Sequence, residues 1–137
     1  MFELRPDAFE GTTLAELLKH QLEALECRGD IEIVQSLSAA DHLSAATRVQ
    51  LYRIAQEALS NVAKHAQAKH VTVEWRALPE GGGRLRIADD GQGFDPDADF
   101  PGHFGLGNMR SRAAEIGAAL SLNTAPGAGC ELIVELP

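Results

Sequence analysis

The apolar residues of this chain recur with two different spacings, and each spacing predicts one type of element. A spacing of three to four residues predicts three helices, which cover approximately residues 12–27, 46–66 and 109–116. A spacing of two, or a short apolar run, predicts five strands, which cover approximately residues 31–37, 71–75, 84–88, 119–123 and 131–136. The predicted order of elements is therefore αβαββαββ.

Two pairs of neighbouring strands are predicted to form hairpins. The first turn contains Pro79 and three consecutive glycines, and the second contains Pro126 and Gly127. Antiparallel hairpins with helices laid on one face form an α+β architecture. We therefore predict a two-layer α/β sandwich, in which helices cover one face of a mixed, mostly antiparallel sheet. Residues 11–137 are expected to form this single domain, and residues 1–10 to be a connector.

The second predicted helix carries a polar face with useful chemistry. Glu57 and Asn61 are four residues apart, so their side chains project together. The amide oxygen of Asn61 suits Mg²⁺, Glu57 can accept a proton, and Lys64 and His65 can meet the charge of a phosphate. An ordinary solvated helix face has the same residue types, so this helix alone does not decide the function.

The strand predicted at residues 84–88 runs into an aspartate and a glycine-rich turn. Asp89 at the end of a core strand can accept a hydrogen bond from an exocyclic amine such as that of adenine. Gly91 and Gly93 allow the backbone to approach a ligand closely, or to adopt a positive φ. The alternative is a tight Asp-Gly turn that only connects two strands.

A loop rich in proline and aspartate, Phe94 to His103, precedes the third predicted helix. The Gly105-Leu106-Gly107-Asn108 segment opens this helix, with Arg110 and Arg112 in its first turns. A glycine-rich loop that leads into a helix N-terminus presents free N–H groups to an anion. The pattern therefore predicts a lid over phosphates, although it is not a Walker A loop.

Net charge, cysteine content and the lack of long apolar runs limit the molecules that this chain is expected to bind and its expected location. The chain has 12 basic and 20 acidic residues, which gives a net charge of −8 and argues against binding to nucleic acid or to acidic membranes. The two cysteines, Cys27 and Cys130, do not suggest a metal site or a disulfide framework. Without a signal peptide or a long apolar run, we expect a cytoplasmic location.

In combination, these motifs resemble the ATP-binding domain of bacterial sensor histidine kinases. Residues 52–66 resemble the N box of that family, Asp89-x-Gly91-x-Gly93 its G1 box, and residues 102–106 with 109–113 its G2 box. The wider GHKL superfamily includes type II topoisomerases, the mismatch-repair ATPase and the ninety-kilodalton heat-shock chaperone. The resemblance implies the Bergerat ATP-binding fold. The wording of the N box is typical of the subfamily of nitrate and nitrite sensors and the membrane-fluidity sensor.

The resemblance also implies a role for each matching residue. Asn61 would coordinate Mg²⁺, and both Glu57 and Asn61 would be catalytic. Asp89 would bind the adenine amine, and Lys64 and His65 the phosphates. The other residues expected to contact ATP are Gly91, Gly93, Phe94, Gly102, His103, Gly105, Leu106, Gly107 and Arg110.

One part of the family pattern does not occur in this sequence. The phosphoacceptor of the family is a histidine followed by an acidic residue, on a helix that precedes the segment resembling Leu4-Arg5-Pro6. The resemblance therefore implies a catalytic half, which uses Mg-ATP to phosphorylate a histidine on a separate dimerisation domain of the same kinase. Downstream it implies a response regulator with a helix-turn-helix domain. It also implies that the isolated domain is a monomer, and that it is either cytoplasmic or the cytoplasmic part of a membrane-bound sensor.

Two other functions are compatible with the same motifs. An anti-sigma-type kinase on the same fold would phosphorylate a serine of a partner protein. A non-catalytic docking module of this shape would regulate a partner and would not need to bind a nucleotide. Transfer of phosphate to a serine, or a complete lack of nucleotide affinity, would distinguish these alternatives from a histidine kinase.

Overall fold

The computed structural model describes residues 11–95 and 105–137, with the side chains of residues 65 and 66 excepted. The described residues form helices α1 (Leu14–Glu26), α2 (Ala45–Asn61) and α3 (Leu106–Glu115), and a π-helical turn, Val62–Ala66, that continues α2. The strands are β1 (Glu32–Leu37), β2 (His70–Ala77), β3 (Gly83–Asp89), β4 (Ala119–Thr124) and β5 (Cys130–Leu136). The predicted order of helices and strands is confirmed.

The five strands form one sheet in the order β1-β2-β3-β5-β4. Strands β2 and β3 pair antiparallel, as do β4 and β5, so both predicted hairpins are present. Strand β3 also pairs antiparallel with β5, whereas β1 runs parallel to β2. A parallel pair requires a crossover connection, which α2 supplies here.

Helices cover one face of the sheet, and the other face is polar. Trp75, Leu85 and Val134 point into the core between the layers and are almost completely buried. On the opposite face Arg86 donates hydrogen bonds to Glu74 at 2.5 Å and to Glu131 at 2.6 Å. This alternation follows from the period of two along each strand, and it confirms the predicted two-layer α+β sandwich.

The N-terminus of α1 is capped from two directions. The hydroxyl of Thr13 accepts a hydrogen bond from the backbone of Glu16 at 3.2 Å. The carboxylate of Asp41, in the loop before α2, accepts a second one from Leu14 N–H at 2.8 Å. Arg48 of α2 lies 2.8 Å from the same carboxylate, which is 1% exposed. Asp41 therefore joins α1 to α2 while it satisfies a free donor of the helix end.

Candidate functional site

A pocket opens between the C-terminal half of α2, the start of α3 and the inner face of the sheet. It is lined by Ala58, Asn61, Val62, Ile87, Asp89, Gly93, Phe94, Leu106, Met109, Leu122, Cys130 and Leu132. Its walls are mostly apolar, and its polar side chains come from α2 and from the end of β3. An apolar cleft with a few convergent polar groups is the usual form of a small-molecule site.

Asp89 is the carboxylate of this pocket. It ends β3, opposite Cys130 of β5, and its Oδ1 accepts a hydrogen bond from Gly91 N–H at 2.8 Å. Burial raises the pKa of Asp89, and the charge of Asp90 adds to this effect, while the bond from Gly91 opposes it. One carboxylate oxygen is held by the turn, so the carboxylate offers a fixed acceptor to a donor inside the pocket.

The loop after Asp89 is anchored to the β4–β5 turn. Phe94 N–H donates to the hydroxyl of Thr124 at 3.1 Å, and Gly127 N–H donates to the carbonyl of Gln92 at 2.5 Å. Gly93 has a φ of +62°, and a Cβ at this position would collide with the carbonyl oxygens of Ala125 and Gly129. The second glycine of the Asp89-x-Gly91-x-Gly93 motif is therefore required by close backbone packing.

Helix α3 meets α2 through another glycine. Gly105 is the N-cap of α3 and has a φ of +68°. A Cβ on Gly105 would lie 2.5 Å from Oε2 of the half-buried Glu57. The absence of a side chain at Gly105 thus lets the first turn of α3 reach the carboxylate of Glu57. This contact brings the polar face of α2 and the glycine-rich start of α3 together.

The predicted residues fall into three groups. Asn61, Asp89, Gly93, Phe94 and Leu106 line the pocket. Six further predicted residues are described but do not line it: the half-buried Glu57 and Gly91, the helix cap Gly105, and the exposed Lys64, Gly107 and Arg110. The predictions for Gly102, His103 and the side chain of His65 lie outside the described residues.

Sequence reasoning missed the wall that the last hairpin contributes. Leu122, Cys130 and Leu132 line the pocket beside Asp89. Burial and the charge of Asp89 raise the pKa of Cys130 to about 11, so the thiol stays protonated at neutral pH. The alternation of β5 indicates which of its side chains point inward, but only the pairing of Asp89 with Cys130 places them at this pocket.

The oxygen donors of α2 are of the type that Mg²⁺ prefers. Asn61, which lines the pocket, and Glu57, one helical turn before it on α2, offer an amide oxygen and a carboxylate, which are hard oxygen donors. Among the described residues, no group of three or more histidine, cysteine or acidic side chains is placed to hold a metal ion. This pattern fits a Mg²⁺ ion that takes one or two protein oxygens and is otherwise bound by phosphates and water.

Comparison with known proteins agrees with the geometry of this pocket. The family described as "Histidine kinase-, DNA gyrase B-, and HSP90-like ATPase" matches residues 46–137, which contain all three motifs. The chain belongs to this ATPase family. The resemblance inferred from the motifs is thereby confirmed, while the narrower subfamily of nitrate and membrane-fluidity sensors stays a prediction.

Curated members of the ATPase family cover the whole chain. The sensor histidine kinase LiaS of Bacillus subtilis is 34% identical over 137 residues, which are 100% of this chain and 38% of LiaS. The sensor protein VraS of Staphylococcus epidermidis is also 34% identical over 137 residues, or 39% of its length. The chain thus spans about two fifths of the length of these relatives.

Solved structures share the fold of the chain. The histidine kinase domain of a blue-light activated kinase from Erythrobacter litoralis EL346 has a TM-score of 0.73 and 23% identity, over 90% of this chain and 60% of that chain. Full-length ShkA in complex with AMPPNP has a TM-score of 0.67 and 26% identity, over 88% of this chain and 29% of that chain. Within the described residues, no helix is both long and apolar enough to cross a bilayer.

Proposed function

We propose that this chain is the catalytic domain of a sensor histidine kinase, which binds Mg-ATP and donates the γ-phosphate to a histidine of a separate dimerisation domain. The observation that carries the proposal is the single pocket shared by Asn61 of α2 and Asp89 of β3, beside the glycine-capped start of α3. A mostly apolar cleft that carries both a fixed carboxylate acceptor and an amide oxygen is suited to a nucleotide.

The end of the pocket at Asp89 is proposed to hold the base. The carboxylate of Asp89 would accept a hydrogen bond from the exocyclic amine of adenine, because Gly91 already fixes its orientation. Phe94, Met109 and Leu132 supply apolar surface for the faces of the ring. Guanine presents a carbonyl oxygen where adenine presents this amine, so the same carboxylate would repel it.

The end of the pocket at α2 is proposed to hold the phosphates. Mg²⁺, when bound with the nucleotide, supplies positive charge against the phosphate oxygens, and Asn61 is the proposed protein ligand. Lys64 and His65 would add cationic donors, and Glu57 would accept a proton from the attacking group. These residues act by positioning and charge neutralisation, as is usual in phosphoryl transfer.

The residues around the start of α3 are proposed to close over the phosphates. Gly105 and Gly107 leave the first turn of α3 without side chains that would obstruct a phosphate. Arg110 is exposed one turn further along and is proposed to meet the phosphate charge. Gly102 and His103 complete the proposed nucleotide contacts.

The partners of the proposed kinase follow from its chemistry. A catalytic domain without a phosphoacceptor needs a second domain that presents a histidine. LiaS and VraS are named as sensor proteins, and this chain matches only about two fifths of the length of each. We propose a cytoplasmic location and a response regulator with a helix-turn-helix domain as the final acceptor. Nucleic acid is not a proposed ligand, because the net charge is −8.

Calorimetric titration with a non-hydrolysable ATP analogue, with and without Mg²⁺, tests the proposal. We expect Mg²⁺-dependent binding, which Asn61→Ala should weaken by roughly tenfold or more. The matched control is Asn123→Ala on β4, where the amide contacts Glu131 at 3.3 Å and lies outside the pocket. Equal affinity of the two variants would contradict the role of Asn61.

Phosphotransfer is tested with labelled ATP and the separate domain that carries the histidine. We expect an acid-labile, base-stable phosphate on that domain, as a phosphohistidine requires. An acid-stable phosphate on a serine would favour the serine kinase instead. If neither the ATP analogue nor ATP binds, the docking module is the better description.

A further inference from the structure

Asp90 is held more firmly than an exposed turn residue needs to be. Its Oδ1 accepts hydrogen bonds from Lys69 N–H and His70 N–H, each at 2.9 Å. Its Oδ2 lies 2.6 Å from Nδ1 of His70, and its own N–H donates to the carbonyl of His70 at 3.2 Å. Four hydrogen bonds therefore join Asp90 to His70, the first residue of β2, and to Lys69 just before it. We refer to Lys69, His70 and Asp90 as the strap.

His70 is fixed from both sides of its ring. Nε2 lies 3.0 Å from Oε2 of Glu32 on β1, while Nδ1 faces Asp90. More than half of this side chain, 56%, is exposed to solvent, and two carboxylates nonetheless hold the ring.

The imidazole of His70 and the carboxylate of Asp90 carry opposite charges when the ring is protonated. Hydrogen bonds from the backbone and the ring of His70 lower the pKa of Asp90 to about 2, so its carboxylate is ionised at all ordinary pH values. The bond to Asp90 and its charge raise the pKa of His70, and Glu32 adds to this effect. The groups that face the imidazole are these two carboxylates, with the ammonium of Lys69 next to it in the chain.

The strap lies between the end of α2 and the turn that follows Asp89. Lys69 follows the π-helical turn that ends the helix of Asn61, and Asp90 stands between Asp89 and Gly91. The pairing of Val71 with Asp89 fixes the backbone up to the end of β3. After Asp89, the hydrogen bonds of the strap hold Asp90. Asp90 connects Asp89 to Gly91, and the N–H of Gly91 orients the Asp89 carboxylate.

We propose that His70 and Asp90 are positioning residues for the nucleotide base, which hold the turn so that the Asp89 carboxylate faces the adenine amine. This inference rests on the proposed nucleotide-binding function. Asp90 adjoins Asp89 in the chain, so the strap acts on the base end of the pocket. Loosening it should therefore weaken adenosine, ADP and ATP by the same factor.

Titration of adenosine and of ADP into four variants tests this role. We expect Asp90→Ala, which loses all the side-chain bonds of the strap, to weaken both ligands by roughly three- to tenfold. Asp90→Asn keeps an acceptor for the two backbone N–H groups and should recover part of that loss. His70→Ala leaves those backbone bonds intact and should lose less than Asp90→Ala. Lys64→Ala should weaken ADP alone, because adenosine has no phosphate.

Glu32→Gln is the matched control. It removes the charge on the outer side of the imidazole but leaves every bond to Asp90 in place, so the change in affinity should stay within about twofold. Thermal unfolding of each variant, followed by the fluorescence of Trp75, shows that the titrations are made on folded protein. His70→Ala keeps the test valid if Asp90→Ala does not fold.

The pH dependence of adenosine binding separates positioning from a general effect on stability. Adenosine does not titrate between pH 6 and 9, and it does not reach the phosphate end of the pocket. In the wild-type chain, affinity should fall as pH rises through the raised pKa of His70, because the ring loses its charge towards Asp90. In His70→Ala, the profile over the same interval should be flat.

The outcomes distinguish the two proposals. If the wild-type chain binds neither adenosine nor ADP, the proposed function fails and the strap is not at issue. If the wild-type chain binds both and the strap variants bind as tightly, the strap is structural only and this inference is overturned. A loss for ADP without a loss for adenosine would also overturn it, since the effect would then belong to the phosphates.

Discussion

At the scale of single residues, two glycines with similar backbones are expected to differ in tolerance. Gly93 and Gly127 have φ values of +62° and +80°, so a side chain is strained at both. At Gly127 nothing lies within 4 Å of the position that a Cβ would take, whereas at Gly93 two carbonyl oxygens crowd that position. The difference between them isolates the cost of the collision from the cost of the backbone conformation.

We predict that Gly93→Ala lowers the free energy of unfolding by about 2–4 kcal/mol, and Gly127→Ala by about 1 kcal/mol. Urea unfolding followed by the fluorescence of Trp75 measures both. Equal losses would show that the loop after β3 does not pack against the β4–β5 turn. Gly93→Ala should also weaken the ATP analogue, because the displaced loop carries part of the pocket wall.

The two thiols give a second prediction at this scale. Cys27 is exposed, whereas Cys130 lies in the pocket with its pKa raised to about 11. Because the thiolate is the reactive form, Ellman's reagent at pH 8 should modify Cys130 roughly tenfold more slowly than Cys27, or slower still. Cys27→Ser, which leaves Cys130 alone, identifies the slow phase. A fast reaction in that variant would contradict the burial of Cys130.

Single residues also show where the sequence stops being informative. Asp89 was predictable because its glycine turn occurs together with the polar helix face and the glycine-rich loop, and that combination favours a pocket over a simple Asp-Gly turn. Cys130, His70 and Asp90 were not predictable in the same way. Their roles depend on which residues face each other across strands, and pairing register is set by the whole sheet and not by neighbours along the chain.

At the scale of elements, the end of α2 is irregular. The helix predicted to run to residue 66 changes to a π-helical turn at Val62, and Gln67 then adopts a φ of +50°. A π-helical turn shifts the side chains that follow it around the helix axis. The predicted regular face of Glu57, Asn61 and Lys64 is therefore interrupted after Asn61, and Lys64 projects from the turn.

We predict that Gln67→Gly stabilises the chain by about 0.5–1 kcal/mol, because glycine adopts the left-handed conformation without strain. The control is Gln56→Gly, on an exposed position of α2, where glycine should cost about 1 kcal/mol. Thermal or urea unfolding of the two variants should give opposite signs. A loss of stability at both positions would contradict the left-handed backbone at Gln67.

The existence of every element could be predicted from its period, and so could the two hairpins, since their turns are short and rich in glycine. The order of strands in the sheet could not. Strand β1 pairs with β2 across a connection that contains all of α2, and β5 inserts between β3 and β4. Neither long-range pairing leaves a local signal, because both depend on how the layers pack.

At the scale of the whole molecule, Asp41 joins the helical layer. Burial alone would raise its pKa, but the bonds from Arg48 and from the backbones of Leu14 and Leu43 outweigh burial and lower it. A carboxylate with a lowered pKa contributes stability that is present above its unfolded value of 3.8 and is lost as pH falls through the folded value. Asp41 is therefore a source of acid sensitivity.

Other titrating groups also change the stability of the fold with pH. The pKa values of Glu131 and Asp90 are lowered as well, through Arg86 and through the strap respectively. Asp89 opposes them, since its raised pKa favours the folded state in acid. His70 contributes below its unfolded value of 6.5, and this contribution is lost as pH rises through its raised pKa. These shifts predict greatest stability between about pH 4.5 and 6.5.

We predict that Asp41→Asn lowers the free energy of unfolding by about 2 kcal/mol at pH 7 and flattens its decline between about pH 5 and 2. Asp30→Asn makes the same chemical change at an exposed position and serves as the control. Urea unfolding over a pH series measures both effects. An acid limb as steep in Asp41→Asn as in the wild type would contradict the contribution of this carboxylate.

The position of β5 in the sheet affects when the protein can fold during translation. It follows every other described strand in the sequence, yet it lies between β3 and β4, and its Cys130 and Leu132 line the pocket. While the chain is synthesised, β4 emerges from the ribosome before the strand that it must pair with, and β3 shows an open edge. Folding therefore cannot finish during translation until residue 136 has emerged, and a chain released earlier exposes two strand edges to aggregation.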